Sequence, residues 1–339
     1  MTQKSYNIAV VGATGMVGTS LLTLLAERKF PVKNIFLLAS ANSAGEVLEF
    51  AGQSKMVLDL ADFDFSQTEI SFFCAGNEIS ASYASKATAA GNVVIDKSSY
   101  FRNDPQVPLI VPEVNLQALG QYKNKNIIAN PNCSTIPLVM VLKPIYDAVG
   151  LARVNIATYQ SVSGSGKEGI NELAQQTALL LNGKKIKPKV YSQQIAFNII
   201  PQIDELQENG YTLEEMKVIW ETQKILADTT VAVNPTAVRV PVFFGHAAAV
   251  HLETKEKITA SEATKLLANM PGVKISKGKN NYSTPVRDAA GKDEVYVGRI
   301  REDLSHEFGL DLWVVTDNIR KGAALNAVQI AEALIANYL

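Results

Sequence analysis

The run Asn7-Ile8-Ala9-Val10-Val11, followed at once by Gly12-Ala13-Thr14-Gly15-Met16-Val17-Gly18, constrains the fold of this chain more than any other segment. A continuous apolar run is the pattern of a strand buried on both faces of a parallel sheet. A glycine turn that leads from such a strand into an amphipathic segment, here reaching Glu27, is the opening of a dinucleotide-binding unit. The glycines are spaced G-x-x-G-x-x-G, a departure from G-x-G-x-x-G, so their position after the first strand carries much of the argument. Gly12 would make the tight turn, Gly15 would let the backbone approach a pyrophosphate, and Gly18 would let helix pack on strand. The competing reading is a plain β-α turn.

Strands and helices continue through Ile35–Ala39, Ile70–Cys74, Ala81–Ala90, Val93–Asp96 and Asn126–Ala129, which predicts a parallel sheet wound with helices. From Val154 the apolar runs lengthen. Val154–Val162, Thr229–Val242, Ala247–Glu253 and Val295–Glu302 read as antiparallel strands, with helices near Lys167–Leu181 and Thr212–Leu226. A strand over Leu310–Thr316 precedes an Ala-rich segment, Asn318 to Leu339, of helical periodicity. The expected fold class is therefore an α/β Rossmann-type dinucleotide-binding domain over residues 1–133, completed by a C-terminal helix at 318–339, plus an α+β domain over residues 134–317.

With 339 residues, 47% of them hydrophobic, the chain has material for two packed domains, and a formal charge of −1 gives no bias toward nucleic acid or anionic membrane. The first apolar run is too brief for a signal peptide or a membrane span, so a cytoplasmic protein is expected. Two distant cysteines, Cys74 and Cys133, and three scattered histidines match no metal-ligand spacing, so no metal is expected.

Cys133 stands out by its context, Asn130-Pro131-Asn132-Cys133-Ser134-Thr135-Ile136. The Asn-Pro-Asn turn and the apolar run Ile136–Leu142, with Pro137 in its first turn, place the thiol at a helix N-terminus. There the macrodipole and free N–H groups favour thiolate and can stabilise an oxyanion. A buried cysteine acting as a small hydrophobe is the alternative; Cys74, which ends Ile70-Ser71-Phe72-Phe73, is read that way.

Together with Asn-Pro-Asn-Cys-Ser-Thr and the N-terminal glycine turn, Asp317-Asn318-Ile319-Arg320-Lys321-Gly322-Ala323-Ala324 makes the chain resemble aspartate-β-semialdehyde dehydrogenase over nearly its whole length. Ser98–Arg102, Val111–Asn115, Tyr159–Gly166, Glu214–Lys217 and Arg239–Val242 leading to Gly245-His246 are further family-like stretches. The resemblance implies NADPH-dependent reductive dephosphorylation of aspartyl β-phosphate to aspartate β-semialdehyde, on the route to lysine, methionine, threonine and, in bacteria, diaminopimelate. It also implies that the second domain is catalytic and forms a homodimer.

Acyl phosphate reduction is simplest when a thiolate displaces phosphate and the resulting thioester is then reduced. Cys133 is the nucleophile that fits. An imidazole suits the proton transfers; on residues alone His246, His251 and His306 are close to equal, and the resemblance selects His246. Arg239, an arginine within an otherwise apolar strand, suits the substrate carboxylate, since its fork pairs bidentately and a buried guanidinium without an anion is costly. The resemblance makes Arg102 and Lys217 phosphate ligands and Gln160 a residue that orients the substrate. Glu214, three residues before Lys217, either meets the substrate ammonium or is a carboxylate of the helix N-terminus.

For the cofactor, the expected contacts are Gly12, Thr14, Gly15, Met16 and Val17 at the first turn, Ser163 and Gly164 near the nicotinamide, and Asn318 by resemblance. The second strand ends Leu38-Ala39-Ser40-Ala41-Asn42-Ser43 without the acid that grips a ribose diol, which favours NADP. The family commonly has arginine where Asn42 stands, so Ser40, Asn42 and Ser43 would hold a 2′-phosphate without its charge. The readings to be separated from this one are N-acetyl-γ-glutamyl-phosphate reductase, which shares the chemistry, and a non-catalytic Rossmann nucleotide sensor.

Overall fold

The computed structural model describes residues 4–278 and 280–339. The chain divides into two compact units, one running to Asn132 and resuming over Ala323–Leu339, the other spanning Cys133–Gly322.

The first unit holds β1 (Tyr6–Val11), α1 (Met16–Glu27), β2 (Val32–Ala39), β3 (Val47–Phe50), β4 (Gln53–Asp59), β5 (Ile70–Phe73), α2 (Asn77–Ala89), β6 (Val93–Asp96), α3 (Pro112–Asn115) and β7 (Ile127–Ala129). Its sheet runs β3-β4-β2-β1-β5-β6-β7, all pairs parallel except the β3–β4 hairpin. Every residue of β5 and β6 is buried, as a strand covered on both faces requires. The chain leaves β1 for β2 on one side, and β5 pairs with β1 on the other, so the strand order reverses at the carboxyl end of β1. Such a switch point is where open parallel sheets bind ligands. The hairpin is absent from the sequence reading: Leu48, Phe50 and Val57 face the core, but Val47 and Met56 are exposed on the other face, which blurs the apolar alternation. Its turn residues Ala51 and Gly52 both have positive φ, the geometry that matches strand twist in a tight hairpin.

The C-terminal helix, Leu325–Asn337, puts Val328, Ile330, Ala331 and Leu334 into the same core as Leu21, Leu24 and Leu25 of α1. It starts seven residues later than the periodicity indicated: the Asp317 side chain accepts from Ile319 N and Arg320 N, and a wider turn, Arg320–Ala324, intervenes.

The second unit holds α4 (Thr135–Val149), β8 (Leu151–Gln160), α5 (Gly166–Leu181), α6 (Leu213–Leu226), β9 (Ala232–Arg239), β10 (His246–Thr254), α7 (Ala260–Ala268), β11 (Val273–Ile275), β12 (Val295–Glu302) and β13 (Gly309–Thr316). Its sheet runs β11-β12-β13-β10-β8-β9. The β10–β8, β10–β13 and β12–β13 pairs are antiparallel, as expected, but β9 runs parallel to β8 and β11 parallel to β12. The long connection from β8 to β9 carries α5 and α6, and such a crossover returns the chain to the starting end of the sheet. Helix α4 is buried from Thr135 through Leu142, which accounts for its unbroken apolar sequence. Among the described residues no helix is long and apolar enough to cross a membrane.

Candidate active site

The register of the second sheet gathers four side chains at one end. Gln160 closes β8 opposite Arg239, which closes the parallel strand β9. Antiparallel β10 begins at that end with His246, opposite Thr316 at the end of β13, and Asn318 follows two residues on. Gln160, Arg239, His246 and Asn318 are all buried.

Cys133 lies directly before the N-terminus of α4, and its Sγ is 3.4 Å from His246 Nε2. The other imidazole nitrogen, Nδ1, accepts from the Ser161 backbone N–H at 3.2 Å and lies 3.1 Å from Ser161 Oγ. Burial pushes the His246 pKa from 6.5 down to about 3, and the Arg239 charge adds to this. At neutral pH the resting ring is neutral, and acceptance at Nδ1 puts its proton on Nε2, facing the sulfur. His251, five residues further along β10, is committed to Asp311 at 3.1 Å, and His306 lies in an exposed segment.

The Arg239 guanidinium donates to the Ser161 carbonyl at 2.8 Å, which fixes one side of its fork. A Cβ at Gly164 would sit 2.7 Å from Nη1 of that guanidinium, so a side chain here would displace the fork from the position Ser161 gives it. The turn after β8, Val162–Ser165, is a 3-10 segment with Val162 and Ser163 buried, and Ser163 Oγ donates to Asn318 Oδ1 at 3.1 Å. It is no loose surface loop.

Glu214 and Lys217 share a face of α6 with their charges 3.6 Å apart, and Lys217 also pairs with Asp204 at 2.6 Å. Lys217 is thus a clamped cation, not a solvated one. Glu214 is buried and accepts from Gln160 Nε2 at 3.2 Å. The capping carboxylate of α6 is its neighbour Glu215, which forms a capping box with Thr212, so Glu214 is left to the Gln160–Lys217 cluster.

In the first unit, a cavity of about 520 Å³ lies at the switch point, lined by Gly12, Thr14, Gly15 and Ser40 among others. Gly12 has φ +79°, and a Cβ there would sit 3.0 Å from the Cys74 backbone. Gly15 is the N-cap of α1 and gives it no side-chain cap; Met16 and Val17 open the helix. A first turn without a side-chain cap suits a pyrophosphate, so the lining fits a dinucleotide. Asn42 and Ser43 lie in the turn after β2, where Ser43 N donates to Ser40 O. Asp59 also lines the cavity, a residue that sequence reasoning missed: β4 lies beside β2 and ends level with it, Asp59 opposite Ala39. Cys74 is on the lining too, and desolvation pushes its thiol up to about 12, which leaves it inert near neutral pH.

Arg102 is buried in the first unit, donating from Nε to the Asn130 carbonyl at 3.0 Å and from Nη2 to the Lys97 carbonyl at 2.7 Å. Asn130 also accepts from Asn326 at 2.8 Å through its side chain. The Asn-Pro-Asn segment leading to Cys133 is therefore anchored on both sides.

Residues 7–122 match the family described as semialdehyde dehydrogenase, NAD binding domain, and residues 142–321 match semialdehyde dehydrogenase, dimerisation domain. An aspartate-semialdehyde dehydrogenase of Shewanella sp. (strain DB6705) is 56% identical over 335 residues, covering 99% of each chain. Aspartate-semialdehyde dehydrogenase 2 of Vibrio cholerae serotype O1 is likewise 56% identical over 335 residues, with 99% of each chain covered. The crystal structure of aspartate semialdehyde dehydrogenase II from Vibrio cholerae complexed with ASA has a TM-score of 0.98 at 55% identity, covering 99% of this chain and 100% of that one. This chain belongs to the aspartate-semialdehyde dehydrogenase family.

Proposed function

We propose that this chain catalyses the NADPH-dependent reductive dephosphorylation of aspartyl β-phosphate to aspartate β-semialdehyde, as a cytoplasmic homodimer in amino-acid biosynthesis. The observation that carries the mechanism is the 3.4 Å approach of Cys133 Sγ to His246 Nε2 at the start of a helix. The Cys133 sulfur attacks the acyl carbon and the C–O bond to phosphate breaks, leaving a thioester. Backbone N–H groups at the start of α4 stabilise the negative charge on the carbonyl oxygen during this step. NADPH, when bound, supplies the hydride that converts the thioester to a thiohemiacetal. His246 takes the thiol proton, gives it to the oxygen as the thiohemiacetal forms, and takes it back as the C–S bond breaks, which releases the aldehyde and frees Cys133.

Arg239 holds the substrate carboxylate, with one edge of its fork fixed by Ser161 so that the rest is pre-oriented. Glu214 receives the ammonium, and Gln160, held by Glu214, orients the reacting acyl group. Arg102 and Lys217 are the proposed phosphate ligands. Gly12, Thr14, Gly15, Met16 and Val17 hold the cofactor pyrophosphate, Ser40, Asn42 and Ser43 the 2′-phosphate, and Ser163, Gly164 and Asn318 the nicotinamide end. The family relationship disfavours N-acetyl-γ-glutamyl-phosphate reductase and a non-catalytic sensor.

The test is to incubate the protein with aspartyl phosphate without NADPH and search by mass spectrometry for an aspartyl group on Cys133. Released phosphate stoichiometric with that adduct supports the mechanism. Turnover on aspartyl phosphate without any adduct, or a preference for N-acetylglutamyl phosphate, would overturn it.

A further inference from the structure

A histidine that takes a proton at Nε2 must carry its other proton on Nδ1, and a buried Nδ1–H needs an acceptor. Two groups are placed at His246 Nδ1. The Ser161 backbone N–H, at 3.2 Å, can only donate, so it opposes a proton on Nδ1. Ser161 Oγ, at 3.1 Å, can either donate or accept. That hydroxyl is fully buried and continues into a polar network, 3.2 Å from Asn318 Oδ1 and 2.9 Å from Ser163 Oγ. Asn318 Oδ1 is fixed in turn by the Gly245 N–H at 3.0 Å, next to His246 itself. The ionisable groups facing the ring are Cys133 from the start of α4 and Arg239 from the end of β9; the β8 and β13 ends present the neutral Ser161 and Asn318.

We infer that Ser161 is a positioning residue whose hydroxyl switches between donor and acceptor, allowing His246 to hold its proton on either ring nitrogen. In one state the hydroxyl donates to bare Nδ1, and Nε2–H points at the Cys133 sulfur. In the other, the Nε2 proton has been lost to water and one gained from water on Nδ1, so that Nδ1–H donates to Ser161 Oγ, and the hydroxyl proton turns to Asn318 Oδ1. Nε2 is then bare and takes the thiol proton: the S–H bond breaks, the electron pair stays on sulfur, and an N–H bond forms. Delivery to the thiohemiacetal oxygen breaks that N–H bond and restores the neutral ring. The Arg239 charge and burial both disfavour the transient imidazolium, so a dipole able to accept from it lies where it has most effect. Among the described residues no other group at Nδ1 can do this, because the backbone donor cannot turn round.

This inference rests on the Cys133–His246 mechanism proposed above, and the experiment separates the two. Ser161→Ala, Ser161→Thr and His246→Asn are compared with the wild type for turnover, substrate KM and the pH dependence of Cys133 alkylation by iodoacetamide. A catalytic histidine confined to the wrong tautomer loses up to about 10⁴-fold in rate, so Ser161→Ala should lower kcat by roughly 10²-fold or more with little change in KM. Its alkylation profile should move to higher pH, and Ser161→Thr, which keeps the hydroxyl, should regain much of both. Unchanged turnover in His246→Asn would sink the mechanism itself. A large loss there, with Ser161→Ala within about twofold of wild type and an unshifted alkylation profile, would sink this inference alone. A second measurement needs no variant at Ser161: ¹⁵N NMR of the wild type, where only three histidines must be assigned. Both tautomers should be populated or become so when Cys133 is alkylated; a ring protonated only at Nε2 in both forms would refute the switch.

Discussion

Replacing His246 by Asn should make the second unit more resistant to acid. In the unfolded chain this imidazole titrates near 6.5, whereas burial and Arg239 hold it down to about 3 in the fold. Between those values the unfolded state binds a proton that the native state refuses, so native stability falls as pH is lowered. Above the unfolded value neither state binds the proton, and the penalty vanishes. At about pH 5 it amounts to about 2 kcal/mol, from 1.36 kcal/mol per unit between that pH and 6.5. The assay is urea unfolding at about pH 7.5 and about pH 5, read by tryptophan fluorescence. Both tryptophans, Trp220 on α6 and Trp313 on β13, lie in the same unit as His246, so the signal reports the relevant transition. The wild type should lose about 2 kcal/mol more than His246→Asn over this interval. Equal losses would refute a neutral resting imidazole and show His246 already charged beside a Cys133 thiolate.

Cys133→Ser should fold, bind NADPH and lose nearly all reductive dephosphorylation, while Cys74→Ser, whose thiol is pushed up to about 12, should keep it; near-normal turnover by Cys133→Ser would rule out the thioester. Arg239→Lys removes the bidentate fork, and losing one charge-assisted hydrogen bond of about 1.5–3 kcal/mol should raise substrate KM on the order of 10- to 100-fold. Steady-state kinetics with unchanged KM would remove Arg239 from the carboxylate site. Asn42→Arg should raise the NADP-over-NAD ratio of kcat/KM, because charge-assisted hydrogen bonds are roughly twice as strong as neutral ones. No gain at fixed ionic strength would show that another group, with Asp59 on the cavity wall the first to examine, governs the 2′ position.

Local chemistry was the legible part of this chain. Cys133 could be placed at a helix start because the turn, the proline and the apolar run are contiguous, and β6 was read to its exact ends because it is buried throughout. What needs register was not legible. His246 and His251 lie on one strand, and only the β10–β13 pairing sends one toward Thr316 and the other toward Asp311. Asp59 is hidden in the sequence for a similar reason: a ribose-gripping acid is expected at the end of the second strand, while the fold brings a different strand's end alongside it. Strand direction is likewise absent from hydrophobic periodicity, which is why β9 was expected antiparallel. Ser161 lies in the family-like stretch Tyr159–Gly166 but takes no role from the sequence, because the value of its hydroxyl depends on a histidine 85 residues away.

The first unit is made from both ends of the chain, and this has a consequence for its birth on the ribosome. β1 and α1 are made before the second unit, yet the helix carrying Val328, Ile330, Ala331 and Leu334 into their shared core is made after it. The fork between Arg28 and Glu332, two contacts of 2.7 Å at the rim of that core, cannot close before then. Cys133–Gly322 is contiguous and fully emerged earlier, so the usual order of vectorial folding is reversed: the domain begun first is finished second. Until that helix emerges, Leu21, Leu24 and Leu25 of α1 lack part of their apolar cover. A chain cut before Leu325 would lack the side chains that complete this cover, so the first unit depends on a segment made only after the whole of the second.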